Sequence, residues 1–466
     1  MATVDFTQGN LMRHVTVMSF TSSIGIMAIY LVDLMDIFFV SLLGFNEVAA
    51  AAGFASTLMF FISAISIGLS VAAGSLTAQR LGAKDLEGSR SVTVNSVMTA
   101  CAVGTVIPAA MWPLLPELLA GLGATGVVSE LAEGYLHIVL PASALSGMSM
   151  ALVAAMRAHG DARWAMYPAL LGAGVNLLLD PLLIFGLNMG LDGAAAATVL
   201  ARIATFGLAC YAAVRLLDIV AWPSWASFRR DLGDIIRYAM PAVLSSIASP
   251  IALGLTTRLL SKYGTDAVAG MAIIGRLAPV VFSVVNALSS SIGPIIGQNF
   301  GAGKHDRVRV AYFDGIKFLA IYTAIAIAAL WLFRDMVADL FGAEGNARRL
   351  LIFYCGPFAM INFFNGMLMV TGTSFINIGH SNWSTIMNWG KGTLGLLLFA
   401  GGGSMFFGFY GFVVGLMLNA AIFAVLAHLL ALRFIQNPPE AAEESEMAFE
   451  NEEMHIEMEM RAPVHT

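Results

Sequence analysis

The chain has 466 residues, 58% of them hydrophobic and only 12% charged, with a formal net charge of −6 and a mean hydropathy of +0.80. That much apolar surface excludes a soluble globular protein of this size, and apolar runs of about 20 residues recur along its length, so it reads as a polytopic helical membrane protein. The acidic excess sits largely after Pro438, and nothing in the charge pattern points to nucleic acid.

Twelve spans are expected. Met1 to Asn10 is polar and the first apolar stretch is long enough to stay as a span, so no cleavable signal peptide is read. The first span, 15–43, carries Asp33 and Asp36 one turn apart on one helix face. Two carboxylates that close suit proton pickup. Asp33 equally suits direct binding of a cationic drug at a lobe interface, or a structural pair with a basic side chain. Spans 49–76, 92–119 and 132–156 follow. Met59, Phe60 and Phe61 on the second form a face fit for an organic cation or for plain packing.

The fifth span, 165–187, contains Asn176-Leu177-Leu178-Leu179-Asp180-Pro181. An ionised carboxylate at the centre of a span costs about 2.5–3.5 kcal/mol on insertion scales, so an acid there marks function by default. Asn176 and Asp180 are four apart and share a helix face. Pro181 has no N–H, which leaves the Leu177 carbonyl without its donor. Carboxylate, amide oxygen and carbonyl converge where a cation or proton would sit. The competing reading is an acid bonded to a neighbouring helix as structural glue.

The sixth span is 194–217, and 218–234 reads as a linker on the cytoplasmic side. Spans 235–260, 267–296, 308–333, 350–372, 383–402 and 409–433 complete the set. The tenth carries a second apolar face of Phe358, Met360, Phe363, Phe364 and Met367. Arg202, Arg258, Arg276 and Lys391 fall within spans and read as snorkelling or paired cations. His14, His137 and His428 read as hydrogen-bonded core residues, and Cys101, Cys210 and Cys355 as small core residues with no disulfide framework. Residues 437–466 read as a disordered, solvated acidic tail. Arg13, Arg80, Lys84, Arg90, Arg157, Arg163, Arg229, Arg230, Arg237, Lys304, Arg307 and Arg309 all fall on one side of a twelve-span topology, with Arg334, Arg348 and Arg349 as exceptions, and the bias puts both termini in the cytoplasm.

The first half returns about 219 residues later. Gln79-Arg80-Leu81-Gly82-Ala83 reappears as Gln298-Asn299-Phe300-Gly301-Ala302, Gly160 and Trp164 as Gly379 and Trp383, and Gly190 and Gly193 as Gly408 and Gly411. Six spans per repeat insert both halves the same way up, giving lobes 1–217 and 235–436 related by a pseudo-twofold along the membrane normal. The acids are not repeated: Asp36 becomes Thr256 and Asp180 becomes Leu398. Cation coupling is therefore assigned to the first lobe.

Over roughly residues 10–435 the chain resembles the multidrug and toxic compound extrusion (MATE) transporters. The stretches that carry the resemblance are Asp33 to Gly44, Ala78 to Ala83, Arg157 to Asp161, Asn176 to Pro181, Gly190 to Thr198 and Pro294 to Gly303. It looks more like the DinF-type branch, because the seventh and tenth spans contain neither Asp nor Glu. The resemblance implies a first-lobe coupling site at Asp36, Asn176, Asp180 and Thr198 for H⁺ or Na⁺, and exchange of that ion for cationic, amphipathic drugs. Two departures stand out. Thr21 occupies the place of a first-span proline, with Gly25 still able to permit a bend, and Ser146, Ser149 and Met150 replace a fourth-span Asn, so the fourth span is left out of the site.

No zinc-type His/Glu spacing, Gly-x-Ser-x-Gly elbow or nucleotide-phosphate loop is present. An ion gradient is the expected energy source, with no cofactor beyond the coupling ion and no enzymatic activity. A monomer in the cell inner membrane is expected, with small molecules and lipid as its partners. The rival reading, a flippase for lipid-linked oligosaccharides on a related two-lobe fold, wants a cavity rich in Arg and Lys.

Overall fold

Helices of this length form because a bilayer offers backbone groups no partner but each other. The computed structural model describes residues 4–44 and 46–436; the expected tail lies outside them. In the first half the helices are α1 (Leu11–Leu42), α2 (Asn46–Gly82), α3 (Leu86–Met111), α4 (Leu115–Leu122), α5 (Val127–Val139), α6 (Ser143–Ala158), α7 (Ala162–Pro181) and α8 (Gly190–Tyr211). The second half has α9 (Trp225–Leu260), α10 (Thr265–Val281), α11 (Ser283–Gly301), α12 (His305–Leu332), α13 (Arg334–Leu340), α14 (Gly345–Tyr354), α15 (Ile361–Asn377), α16 (Ser381–Gly390) and α17 (Gly402–Gln436). A π-helical stretch, Lys391–Gly401, joins the last two. Starts are set by side chains: Asp85 accepts from Gly88 N at 2.7 Å before α3, and Asp161 from Trp164 N at 3.0 Å before α7.

Twelve crossings result. Among the described residues, ten helices are long and apolar enough to span a bilayer, and an eleventh is bent by 50° between Ala269–Val281 and Ser283–Gly301. The last of the ten, Ser381–Gln436, has 56 residues; at 1.5 Å each it would be about 84 Å long, well over twice a hydrocarbon core. It breaks at Gly408 (φ 61, ψ −142) into two spans. α1 runs unbroken through Thr21, while its counterpart α9 contains Pro241 and Pro250.

The duplication is written into the backbone. Left-handed residues pair across the halves about 219 positions apart: Gly44 with Gly264, Lys84 with Gly303, Gly123 with Gly342, Gly126 with Gly345, Gly160 with Gly379, and Gly190 with Gly408. Within the first lobe α7 packs between α1 and α8, and α5 lies against α8; α1 also meets α11, and α2 meets α9 and α11, across the lobe boundary.

The lobes close on each other at the end rich in basic residues. Gly82 lies against the Gln298 carbonyl and Gly301 against that of Gln79, each with no space for a Cβ. Gln79 Nε2 donates to Asn377 O at 2.9 Å and Gln298 Nε2 to Ala158 O at 2.7 Å. Asp231 near the start of α9, 1% exposed, accepts from Asn95 Nδ2 at 2.7 Å and Ser91 Oγ at 2.9 Å on α3. The segment before α1 is strapped under the second lobe. Phe6 is wholly buried and its N–H donates to Gln298 Oε1 at 2.9 Å. Its carbonyl accepts from Asn299 Nδ2 at 3.0 Å and Arg307 Nη2 at 3.1 Å. Lys304 Nζ donates to Thr7 O at 3.1 Å.

Candidate functional site

Three of the four residues expected to bind the coupling ion meet directly. α1 and α7 pack side by side, and this brings the carboxyl groups of Asp36 and Asp180 beside each other. An ionised carboxylate only accepts, so two carboxyl groups can bond each other only when one of them carries a proton. Asp180 is 1% exposed and Asn176 7%. Turned so that its nitrogen faces the acid, the Asn176 amide donates to both Asp180 oxygens at 3.1 and 2.6 Å. The sequence led us to expect the amide oxygen there; the acceptor-rich carboxyl pair reverses the preference.

The fourth, Thr198 on α8, joins through an intermediary. Its hydroxyl donates to Ala194 O at 3.0 Å, and it lies beside the hydroxyl of Tyr135. Tyr135 sits within electrostatic reach of Asp36, Asp180 and Arg202. It lies on α5, the first part of the fourth span, so that span does approach the site. The same two helices make a second rung one turn on, where Arg202 Nη1 donates to Val139 O at 3.1 Å. Tyr135 and Val139, like Thr198 and Arg202, are four apart and share a face. The only signal for Tyr135 in the sequence was that i, i+4 match to a helix more than 50 residues away. Arg202 also borders a small cavity lined by Met59, Ile62 and Met150 as well as by Ser63, Ser66, Ser143 and Ser146.

Asp33 stands apart from this cluster. It is exposed, next to Asp36 and Tyr30, and the Tyr30 hydroxyl accepts from Asn286 Nδ2 of the second lobe at 3.0 Å. That puts Asp33 at the lobe boundary. The positions matching the acids carry no charge: Thr256 Oγ1 donates to its own helix at Ala252 O, 2.7 Å, and Leu398 is 69% exposed.

The three histidines read as core residues have partners. His14 bonds Gln8 O at 3.0 Å, His428 Nδ1 lies 2.6 Å from the Tyr312 hydroxyl, and His137 stacks on Trp112.

A family model, MatE, matches residues 21–182 and 241–398, one match in each half. The FAD transporter of Shewanella oneidensis is 27% identical over 434 residues, 90% of this chain and 94% of that one. Multidrug export protein MepA of Staphylococcus aureus is 25% identical over 364 residues, 75% of this chain and 79% of that one. Among solved structures, an outward-facing multidrug resistance MATE family transporter of the MOP superfamily superposes with a TM-score of 0.87 at 26% identity, over 94% of this chain and 98% of that one. A MOP superfamily transporter from Pyrococcus furiosus gives 0.86 at 26% identity, with the same coverage.

Proposed function

This chain belongs to the MatE family of membrane transporters, and from that premise we propose that it is a secondary active antiporter, exporting amphipathic small molecules in exchange for protons. The observation that carries the reading is the buried Asp36–Asp180 contact in the first lobe alone. A pair that shares one proton holds a single negative charge, and a second proton removes it. Open to the outside, the pair takes up that proton; the first lobe then repacks around a neutral site and releases its cargo. Open to the inside, it gives the proton up and the charge returns.

Sodium is the other candidate occupant of Asp36, Asn176, Asp180 and Thr198. The donor set favours the proton. Sodium wants several oxygens turned toward it, whereas here the two carboxyls face each other and the Asn176 nitrogen faces Asp180. The charge bias supports a cytoplasmic basic end and export across the inner membrane. Flat aromatic amphiphiles are the proposed cargo, cations among them. The exposed acid at Asp33 suits a cation, and the names of the Shewanella and Staphylococcus relatives, an FAD and a multidrug transporter, fit that breadth.

The test is ethidium efflux from energised vesicles under a pH gradient alone and then a sodium gradient alone. Transport under the first and not the second is expected. If Asp36→Asn or Asp180→Asn protein moves substrate down the imposed gradient at the normal rate, the assignment is wrong.

A further inference from the structure

Lys391 has no part in the cycle just described. It opens the π-helical stretch between α16 and α17, and its Nζ donates to Asn365 Oδ1 on α15 at 2.7 Å. An ammonium has three donors and no acceptor. Among the described residues no carboxylate pairs with it. A cation at membrane depth without a counter-charge is costly, and by default such a group marks a site. Lys391 and Asn365 are each partly buried, and one hydrogen bond leaves two of the ammonium donors to be satisfied.

Two further features hold the lysine in place. Asn419 Nδ2 on α17 donates to the Lys391 carbonyl at 3.0 Å, so one amide fixes the backbone while another fixes the side chain. The π stretch runs for 11 residues, and such widened turns recur at functional sites. The duplication gives the level. α15 matches α6, which sets Asn365 where the first lobe has Ser146, a wall of the cavity beside Arg202. Lys391 falls about one turn before the position matching Asn176 and about two turns before the one matching Asp180, so the second lobe carries its cation nearer the start of the corresponding span than the first lobe carries its acid. Beside Asn365 lie Phe363 and Phe364, with their rings in edge contact at 5.4 Å and both only partly buried, which leaves some apolar surface for a flat body.

We propose that Lys391 and Asn365 form an oxyanion subsite in the second lobe, which takes the carboxylate or phosphate of an exported aromatic amphiphile. This rests on the exporter reading and deepens it: the cargo includes zwitterionic and anionic molecules, not cations alone.

Matched probe pairs test it in full-length protein. Rhodamine 110 carries a free carboxylate and rhodamine 123 is its methyl ester; riboflavin 5′-phosphate and riboflavin differ by the phosphate. Equilibrium binding in detergent and flux into energised proteoliposomes are measured for wild type, Lys391→Gln and Lys391→Arg. Wild type is expected to prefer the acid in at least one pair, and the pair in which it does so identifies the oxyanion. Lys391→Gln should lower that acid-to-neutral ratio about tenfold or more, the effect of one charge-assisted hydrogen bond, and Lys391→Arg should restore it. Equal binding of acid and neutral partner by wild type overturns the proposal, as does a Lys391→Gln variant that leaves both ratios unchanged. Loss of gradient-driven flux with the binding preference intact counts against the exporter reading and leaves the subsite standing.

Discussion

Gly82→Ala pries the basic end of the molecule apart. A Cβ on Gly82 would stand 2.0 Å from the Gln298 carbonyl oxygen, and one on Gly301 would stand 2.1 Å from that of Gln79. Close carbon–oxygen contacts settle near about 3.3 Å, so the backbones must part by more than an ångström. The obstructing atoms are main chain and cannot swing aside like the tip of a side chain. Overpacking of this kind costs about 1–3 kcal/mol. Because the clash lies between two lobes, separation relieves it and the cost falls on the closed arrangement. A shift of about 5- to 150-fold toward the arrangement open at the basic end follows. The assay is the distance between spin labels at Leu86 and Arg309, with Cys101, Cys210 and Cys355 replaced by Ala. Gly53→Ala on the same helix, where a Cβ meets nothing within 4 Å, is the control. Label distances for Gly82→Ala and Gly301→Ala that match this control would refute the reasoning.

Three more outcomes are expected. Tyr135→Phe removes a hydroxyl beside Thr198 without touching the acids; at about 1 kcal/mol for one polar contact, transport should slow roughly fivefold, against near-complete loss for Asp180→Asn, both read by vesicle efflux. Asp231→Ala removes the acceptor that ties α3 to α9 and leaves the buried Asn95 amide with only longer bonds to Ser91 and Ser227. A loss of about 2–4 kcal/mol, seen as a lower melting temperature in detergent, is expected. His159, beyond the end of α6, is 5% exposed, and burial pushes its ring below its ordinary value of 6.5, with Arg90 adding to the effect and the Ala155 carbonyl opposing it. A folded state that resists protonation is most stable above that ordinary value and loses stability as pH falls through the lower folded one. His159→Gln should flatten the drop in melting temperature between pH 7.5 and 5.5; an unchanged drop assigns it elsewhere.

The parts of this architecture that were legible in the sequence are those written at helical spacing or at the period of the repeat. Asn176 and Asp180 lie four apart on one helix, and Asp36 needed only the first and fifth spans to be neighbours. The Gly190–Gly408 match foretold the break in the last long helix. Tyr135 was not legible, because an aromatic residue in an apolar span looks like any other until the partner helix is known. Nor was the strap: Met1 to Asn10 reads simply as a polar stretch, and Phe6 stands in it with no apolar periodicity around it. Its burial depends on Gln298, Asn299 and Arg307, nearly 300 positions away. The helix α4 fell partly inside the expected third span, since nothing in its composition separates it from a crossing helix.

That strap makes α1 a lever. One end is fastened beneath the opposite lobe through Phe6, Thr7 and Gly9, and Asp36 lies 26 residues beyond Asn10 along an unbroken rod, about 39 Å at helical rise. If the halves swing as proposed, either those tethers let go or the rod is dragged along its axis past α7, sliding Asp36 against Asp180. Mechanical load at one membrane face would thereby reach the Asp36–Asp180 pair near the other, with no relay of side chains in between.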